Sequence, residues 1–361
     1  MKIIKKNKIT DLPRKILIRT VNHRLGDSLM IFPFLSALKK LFPDTPAVIA
    51  VPRHNARIFY NTGFTVFEIG RTWPLKISDH LAYLSFLRKE HFDCAFILQR
   101  ALEGAFLSWL AGIPGRLGYA SDHRNFLLTG SLSEESWNMN TARMHTSEYY
   151  LDLLRAFYNY QGLKPERLEP AVLDNDIHSA SLKCGFKITE NTFILAGPGS
   201  SYGSAKFWPL KRWAELLKRL RLKYSLPVIL AGAEHDKLIT ACLKDLLDFP
   251  TVNLCAVTSM GELFALAKYA GLVITVDSGL SHLRSAFGRS LAVLFGSTNE
   301  KLTGPYYSGE SIREEFSCAP CLEKSCPRAE NPLCMEALSL EKVWNIICSS
   351  GQCRIEKNIN I

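Results

Sequence analysis

The segment 272–305 alternates buried strands, polar turns and a helix, and this pattern restricts the possible folds more than any other. It opens with the uncharged, β-branched run Leu272–Val276, which predicts a buried strand. The polar turn 277–279 follows directly, and residues 280–287 predict a short helix. A second buried run, Leu291–Phe295, ends in another polar turn. This order is typical of an open parallel sheet, in which ligands bind outside the carboxyl ends of the strands.

The same alternation occurs near the N-terminus and again in the second half of the chain. Residues 15–19 predict a strand, a polar turn follows, and residues 28–41 predict a helix that Pro33 kinks. In the second half, residues 210–222 predict a helix, and a capping box that begins at Ser259 predicts another. Because strands and helices alternate in both halves, we predict two Rossmann-like α/β domains that face a central cleft.

A polar segment separates the two halves. The periodicity fades between residues 160 and 189, which is typical of an interdomain connection. The triplet Asp174-Asn175-Asp176 lies in this segment and is interpreted as solvated turn residues rather than a metal-binding motif. We therefore predict an N-terminal domain over residues 1–175, a C-terminal domain over residues 176–345 and a tail over residues 346–361.

The composition is that of an ordinary globular protein with unevenly placed charge. Hydrophobic residues make up 47% of the 361 residues and charged residues 22%, and this length favours two domains. No apolar run approaches the ~20 residues that span a bilayer, and the N-terminus lacks the apolar region of a secretory signal. Residues 1–40 hold ten Lys and Arg against Asp11 and Asp27, within a net charge of +10. This basic end suits anionic lipid, and a solvated tail is the alternative; without a nucleic-acid-binding motif, nucleic acid is not expected as a partner.

Three polar residues follow predicted strands closely enough to face a ligand. Asp27 stands at the start of the first long helix, where a carboxylate can accept a proton from a bound hydroxyl. An N-cap role for Asp27 is the alternative, and Arg24 nearby would keep the carboxylate ionised. Asp277 would cap the helix that follows it, and His282 would lie one turn further on, facing the same crevice. The free amides at the start of that helix favour an anion.

A glycine-rich loop, 197–206, follows the strand that opens the second half. Its glycines, Gly199 and Gly203 among them, let backbone amides approach a phosphate, and Lys206 adds a positive charge. The spacing differs from a P-loop and from the G-x-G-x-x-G fingerprint, which argues against a nicotinamide dehydrogenase. The loop therefore predicts a phosphate cradle, with a plain connecting loop as the alternative.

Four of the ten cysteines are clustered near the C-terminus. Without a signal peptide, a reduced state is expected. The spacing of the cluster allows structural zinc or disulfides but matches no standard zinc ribbon, so no metal is assigned and zinc is retained only as an alternative. The four residues are Cys318, Cys321, Cys326 and Cys334.

Three blocks, taken in order, resemble one family of bacterial enzymes. They are Leu25-Gly26-Asp27 with the later Pro33, the loop residues 198–209, and the hexapeptide 277–282. Their order and positions resemble the lipopolysaccharide heptosyltransferases, glycosyltransferase family 9, which have the GT-B fold. The segment from Phe295-Gly296-Ser297-Thr298 to the cysteine cluster is similar to the heptosyltransferase II branch. The resemblance covers residues 15–345.

The resemblance implies an inverting glycosyltransferase that uses no metal or cofactor. It would move a heptose from ADP-heptose to the inner core of lipopolysaccharide. Asp27 matches the family's proposed general base, and Arg24 beside it is assigned to acceptor binding. The N-terminal domain would then hold the lipid-linked acceptor, and the C-terminal domain would hold the nucleotide sugar.

The resemblance also assigns the donor site to the C-terminal domain. Lys206 would stabilise the departing diphosphate as well as bind it. Ser201 stands where the heptosyltransferase II branch usually has an acidic residue, which leaves the donor sugar open. The residues assigned to the donor are Gly199, Ser200, Ser201, Lys206, Glu234, Asp277, Ser278, Gly279 and His282.

Two other functions fit the same motifs. One is a family 9 transferase that uses another nucleotide-hexose donor to build a surface polysaccharide. The other is a nucleotide-sugar-binding protein without transfer activity. A lipid-linked acceptor implies a cytoplasmic enzyme that is peripheral at the inner membrane, where the basic N-terminal end would help to hold it.

Overall fold

The computed structural model describes residues 2–6, 12–20, 24–70, 76–134, 144–162, 165–353 and 355. The chain divides into two compact units, Met1–Ala171 and Val172–Ile361, and each is built on one sheet with helices packed against it. The fold class is therefore α/β, as predicted. Within the described ranges, no helix combines the length and the apolar character needed to cross a bilayer.

Unit 1 contains seven strands and five helices in the described residues. The strands are β1 (Ile3–Lys6), β2 (Ile16–Arg19), β3 (Ala47–Pro52), β4 (Thr65–Ile69), β5 (Cys94–Ile97), β6 (Gly115–Tyr119) and β7 (Gly130–Leu132). The helices are α1 (Leu25–Leu29), α2 (Phe32–Leu41), α3 (Ile77–Glu90), α4 (Leu102–Leu110) and α5 (Thr146–Tyr158), and 3-10 turns span Arg53–Phe59 and Arg124–Leu127. The strand order is β1-β7-β6-β5-β2-β3-β4, and within this described sheet only the β1–β7 pair is antiparallel.

The strand order places a topological switch point between β2 and β5. From β2 the chain moves through β3 to β4 in one direction, and from β5 it moves through β6 to β7 in the other. Because crossovers between parallel strands are right-handed, α3 and α4 lie on the opposite face of the sheet from α2. Leu17 on β2 and Ile97 on β5 are fully buried in the core between the sheet and α3 and α4.

The start of unit 1 differs from the prediction in two ways. The predicted helix 28–41 is two helices, α1 and α2, and Pro33 lies in the first turn of α2 instead of kinking a continuous helix. A proline fits the first turn because the amide it lacks has no partner within the helix there. Part of the basic end is not a tail, since β1 pairs with β7 at the edge of the sheet. Lys15 and Arg19 are engaged within the unit, pairing with Glu90 and Glu103.

Unit 2 contains six strands and eight helices in the described residues. The strands are β8 (Ile194–Gly197), β9 (Val228–Leu230), β10 (Thr251–Asn253), β11 (Leu272–Val276), β12 (Leu291–Phe295) and β13 (Glu310–Arg313). The helices are α6 (Asp174–Cys184), α7 (Leu210–Tyr224), α8 (Lys237–Asp245), α9 (Met260–Tyr269), α10 (Gly279–Ala286), α11 (Glu300–Thr303), α12 (Leu333–Ala337) and α13 (Leu340–Ser349). Three 3-10 turns span Ser204–Lys206, Glu234–Asp236 and Gly351–Cys353.

The second sheet is wholly parallel and has its own switch point. Its order is β10-β9-β8-β11-β12-β13, so the chain reverses direction between β8 and β11. These two strands are hydrogen-bonded neighbours, with Leu272 opposite Ile194 and Thr275 opposite Gly197. The carboxyl ends of β8 and β11 therefore lie side by side, and the segments that follow them meet there.

The prediction for unit 2 is confirmed where the pattern is strongest. Strands β11 and β12 have the predicted bounds, and the Ser259 capping box opens α9 as expected. Two expectations are wrong. The triplet 174–176 is the first turn of α6, because the Asp176 carboxylate accepts the Leu173 amide at 2.9 Å and caps the helix. Helix α13 runs through residue 346, where a tail was predicted, and buries Ile347 in the core.

Glu262 on α9 connects this helix to α6 through side-chain hydrogen bonds. Its carboxylate accepts from Lys183 Nζ at 2.7 Å, from the Ser259 amide at 2.6 Å and from the Ser179 hydroxyl. Burial disfavours the charged form, but these hydrogen bonds outweigh it and lower the pKa of Glu262 to about 2. The folded state therefore stabilises the carboxylate.

We predict that Glu262→Gln destabilises the fold by on the order of 2 kcal/mol at neutral pH. Because the folded-state pKa is depressed, this stabilisation is present above the ordinary pKa of 4.5 and is lost as the pH falls towards 2. Urea unfolding of both proteins from neutral pH down to pH ~4 would measure the difference, which should shrink at the acid end. The control is Glu215→Gln, because Glu215 is in an exposed pair with Arg219 and should change stability little. A pH-independent difference for Glu262→Gln would contradict the prediction.

Candidate functional site

The two predicted donor segments of unit 2 are joined by a buried ion pair. Lys206, at the end of the glycine-rich loop, places Nζ 2.6 Å from Asp277 Oδ2 and donates to the Asp277 carbonyl oxygen at 3.0 Å. The two side chains are only 8% and 5% exposed. Lys206 Nζ also lies 4.5 Å from the centre of the Tyr202 ring. The pair therefore ties the segment after β8 to the turn after β11.

Asp277 is an ion-pair and hydrogen-bond partner, and its predicted role as a helix cap is wrong. The N-cap residue of α10 is Ser278, and no side chain caps that described helix. The Asp277 carboxylate instead accepts from Thr298 Oγ1 at 2.8 Å and, more weakly, from Thr303 Oγ1 at 3.4 Å. Since Thr298 follows β12, Asp277 connects the ends of three neighbouring strands.

The glycine-rich loop is held in place along its length. Ser200, which is 6% exposed, donates to the Asp277 carbonyl at 3.3 Å and accepts from the Tyr202 amide at 3.2 Å. Gly203 has a φ of +147° and lies against the backbone of Lys324, which accepts the Ala205 amide at 3.0 Å. The loop thus rests on the cysteine-rich segment as well as on β11.

The other predicted donor residues of the two segments lie at the same edge of the sheet. Ser201 is exposed at the tip of the glycine-rich loop, whereas Ser278 and Gly279 are half-buried where α10 begins. Ser278 Oγ is 3.0 Å from Thr275 Oγ1. His282 is buried one turn into α10. Together they place amides, hydroxyls and one ammonium group within a short stretch of sheet edge, a set of donors that suits a phosphate.

The turn after β9 holds the predicted donor residue Glu234 and, close to it, the buried Asp236. Glu234 is mostly exposed and pairs with Lys237 at 2.6 Å. Its neighbour Asp236 is 4% exposed, accepts the Ala233 amide at 2.9 Å and faces Gly199 so closely that any Cβ on Gly199 would clash with its carboxylate. Burial raises the pKa of Asp236. Gly199 is therefore required for the close packing of the two turns.

In unit 1, the predicted base lies on the helix that follows the switch-point strand β2. Asp27 is half-buried in the middle of α1, and Arg24 is the exposed N-cap residue of that helix. The alternative role of Asp27 as an N-cap is therefore wrong. Burial raises the pKa of Tyr150 on α5, and the nearby charge of Asp27 raises it further.

The clustered cysteines are not arranged as a metal site. In the ranges that the structure describes, no three His, Cys, Asp or Glu side chains are placed to hold a metal ion, so the geometry gives the zinc alternative no support. All four thiols are free, and burial raises the pKa of Cys334, with Cys321 and Cys318 close enough to contribute. Leu322 in this segment donates its amide to the Ser297 carbonyl at 2.8 Å, which supports a structural role beside β12.

Two residues of the site, Thr298 and Asp236, were not identified from the sequence. Thr298 lies in the polar turn after β12, and Asp236 lies in the polar turn after β9. Both turns end at the edge of the sheet where ligands bind, so their polar side chains were available as candidates. What the sequence lacked was the strand order, which brings Thr298 next to Asp277.

Comparison with known proteins agrees with this architecture. The family model described as glycosyltransferase family 9 (heptosyltransferase) matches residues 81–331, which is more than half of the chain. The chain belongs to glycosyltransferase family 9, and it is a glycosyltransferase.

Two similar relatives and one similar solved structure are named as heptosyltransferases. Lipopolysaccharide heptosyltransferase 2 of Salmonella typhimurium is 27% identical over 299 residues, 78% of this chain and 82% of that protein. Lipooligosaccharide heptosyltransferase 2 of Haemophilus influenzae is 26% identical and covers 78% and 83%. The structure of E. coli ADP-heptose lipopolysaccharide heptosyltransferase II has a TM-score of 0.76 at 20% identity, covering 93% of this chain and 98% of that one. This likeness shows that the fold is GT-B.

We predict that Thr298→Val weakens the fold of unit 2 by about 1 kcal/mol, because it removes a short hydrogen bond to a buried carboxylate. Thr303→Val is the matched control, because the Thr303 hydroxyl lies 3.4 Å from the same oxygen and makes a weaker hydrogen bond. This substitution should change the free energy of unfolding by less than about 0.5 kcal/mol. Chemical unfolding of both variants would measure the values. Equal losses would mean that Thr298 does not support Asp277.

Proposed function

We propose that this glycosyltransferase moves a heptose from ADP-heptose to the inner core of lipopolysaccharide. It would act in the cytoplasm, on a lipid-linked acceptor at the inner membrane. The names of the relatives support heptose transfer, and the name of the structurally similar E. coli enzyme supports ADP-heptose as donor. The observation that carries the proposal is the Lys206–Asp277 pair, because it joins the two predicted diphosphate-binding segments at the switch point of unit 2.

We assign the donor diphosphate to unit 2. Backbone amides of loop 197–206 and of the start of α10 would hold the phosphate oxygens, together with the Lys206 ammonium group. Ser200, Ser201, Ser278, Gly279 and His282 would complete the contacts of these segments. Glu234 is assigned to the nucleoside, and the exposure of its carboxylate to solvent supports this assignment.

We assign proton transfer to Asp27 in unit 1. Its carboxylate would take the proton of the acceptor hydroxyl while that oxygen bonds to the anomeric carbon of the heptose. The bond from the anomeric carbon to the diphosphate oxygen breaks on the opposite side, so the configuration inverts. The diphosphate leaves with added negative charge, which Lys206 and the helix amides would stabilise. Arg24, exposed one turn before Asp27, is assigned to the acceptor.

Replacement of the proposed base separates transfer from binding. We expect Asp27→Ala to lower the transfer rate by about 10²–10⁴-fold while the affinity for ADP stays unchanged, because Asp27 would act only on the acceptor. Release of ADP would measure the transfer rate, and calorimetry would measure the affinity for ADP. Asp44→Ala is the control, since Asp44 is an exposed residue of the same unit and should leave both values unchanged. Full activity of Asp27→Ala would remove Asp27 from the mechanism.

The donor itself is tested by comparing nucleotides. We expect ADP to bind at least about tenfold more tightly than UDP, and ADP-heptose to be the donor that supports nucleotide release. Turnover of a UDP-hexose instead would favour the alternative of a family 9 transferase with another donor. Tight ADP-heptose binding without transfer to any lipopolysaccharide acceptor would favour a binding protein.

A further inference from the structure

Helix α4 presents a stripe of large apolar side chains to solvent. Leu102, Phe106, Trp109 and Leu110 are 39%, 43%, 49% and 38% exposed. They are spaced by four, three and one residues, so they share one face of the helix. The opposite face, with Ala105 and Leu107, is buried in the core of unit 1. Single exposed apolar residues are ordinary on protein surfaces, but a full stripe on one helix marks an interaction site.

Neighbouring elements carry further exposed apolar side chains. Ile77 and Leu81 on α3 are 81% and 61% exposed, and Phe126 in the 3-10 turn Arg124–Leu127 is 73% exposed. Helix α4 packs beside both elements, on the same side of the sheet. Of the 17 large hydrophobic side chains exposed among the described residues, seven lie in these three elements. We call these seven residues the apolar face: Ile77, Leu81, Leu102, Phe106, Trp109, Leu110 and Phe126.

The exposed charges around the apolar face are mainly basic, although Asp122 is also exposed and accepts the Leu102 amide at 2.8 Å. Arg88 and Lys89 end α3 and face solvent, and Arg88 reaches across to donate to the Leu110 carbonyl at 3.2 Å. The one charged residue of α4 is Glu103, and it pairs with the buried Arg19 at 3.0 Å. An apolar surface bordered by cations complements anionic lipid headgroups over acyl chains.

The apolar face also extends to the edge of the sheet that the proposed mechanism uses. Helices α3 and α4 begin where β4 and β5 end, so Ile77 and Leu102 lie at the carboxyl edge of the sheet. Asp27 lies at the same edge, because α1 follows β2. A lipid-linked acceptor anchored in a bilayer beneath this face would have a short path to Asp27.

We propose that the apolar face is the surface by which unit 1 docks on an anionic bilayer. Phe106 and Trp109 enter the boundary between headgroups and acyl chains, and Arg88 and Lys89 contact lipid phosphates. Aromatic side chains favour this boundary because one layer holds both apolar and polar surroundings. A second copy of the chain fits the face less well, since the basic border and the net charge of +10 repel a like surface. The choice of a membrane as partner rests on the proposed function.

Vesicle binding tests the surface. Full-length protein is sedimented with vesicles of phosphatidylcholine, with and without phosphatidylglycerol. We expect Phe106→Ser combined with Trp109→Ser to lower the partition coefficient on anionic vesicles by at least about tenfold. The matched control is Leu222→Ser combined with Leu238→Ser in unit 2, where both residues are at least as exposed and the change should stay within about twofold. Unchanged melting temperatures would show that both variants are folded.

A second readout reports contact at the face itself. Brominated lipids should quench part of the tryptophan emission, and Trp109→Phe should abolish that part while binding stays close to wild type. Trp208 and Trp213 are buried and serve as internal references. Three results would overturn the proposal: equal binding by the serine variant and wild type, no quenching of Trp109, or a wild-type dimer that the serine substitutions dissociate.

Transfer to an acceptor without its lipid separates this proposal from the proposed function. The serine variant should use a water-soluble, delipidated acceptor at the wild-type rate, because the apolar face lies outside the proposed catalytic residues. Failure of the wild type to transfer heptose to any acceptor would refute the proposed function and leave the vesicle result standing. Loss of transfer to the soluble acceptor in the serine variant alone would refute a role confined to membrane docking.

Discussion

The buried ion pair between Lys206 and Asp277 is the interaction on which the organisation of unit 2 at its sheet edge depends. Withdrawing two charges from water costs several kcal/mol for each unless neighbouring groups hold them. Here the carboxylate accepts from Lys206 and Thr298, and the Asp277 carbonyl accepts from Lys206 and Ser200. Removal of either charged partner would leave the other charge buried and uncompensated. The loop after β8 and the turn after β11 are therefore stable only together.

The topology of the parallel sheet makes this pair possible. Lys206 and Asp277 are 71 residues apart, yet β8 and β11 are hydrogen-bonded neighbours and end side by side. The reversal of strand order between them leaves a crevice at their carboxyl ends, because the following helices pack on opposite faces of the sheet. Unit 1 repeats this arrangement between β2 and β5, with Asp27 on the helix after β2. The same sheet geometry thus provides one position in each unit for a polar group that can face a ligand.

Short sequence patterns identified the secondary-structure elements whose limits are set by neighbouring residues in the chain. Strands β11 and β12 are short, uncharged and bounded by polar turns, so their limits could be read directly. The first turn of α6 was missed because its two aspartates look like a solvated loop until their stabilisation of a helix N-terminus is considered. Strand β1 was missed because an edge strand rich in lysine looks like a basic tail.

The nature of the candidate site was harder to infer because its partners are distant in sequence. Asp277 has the sequence position of a helix cap, but its carboxylate is paired with the ammonium group of Lys206, 71 residues earlier in the chain. An ammonium group has three N–H donors, and two of those of Lys206 go to Asp277. One donor is left for a phosphate, and the positive charge is already matched by a carboxylate. Under the proposed mechanism, most stabilisation of the departing diphosphate must therefore come from backbone amides, with the pair holding those amides in place. This explains why Gly199 packs against Asp236 without room for a side chain, since a displaced loop would misdirect the amides.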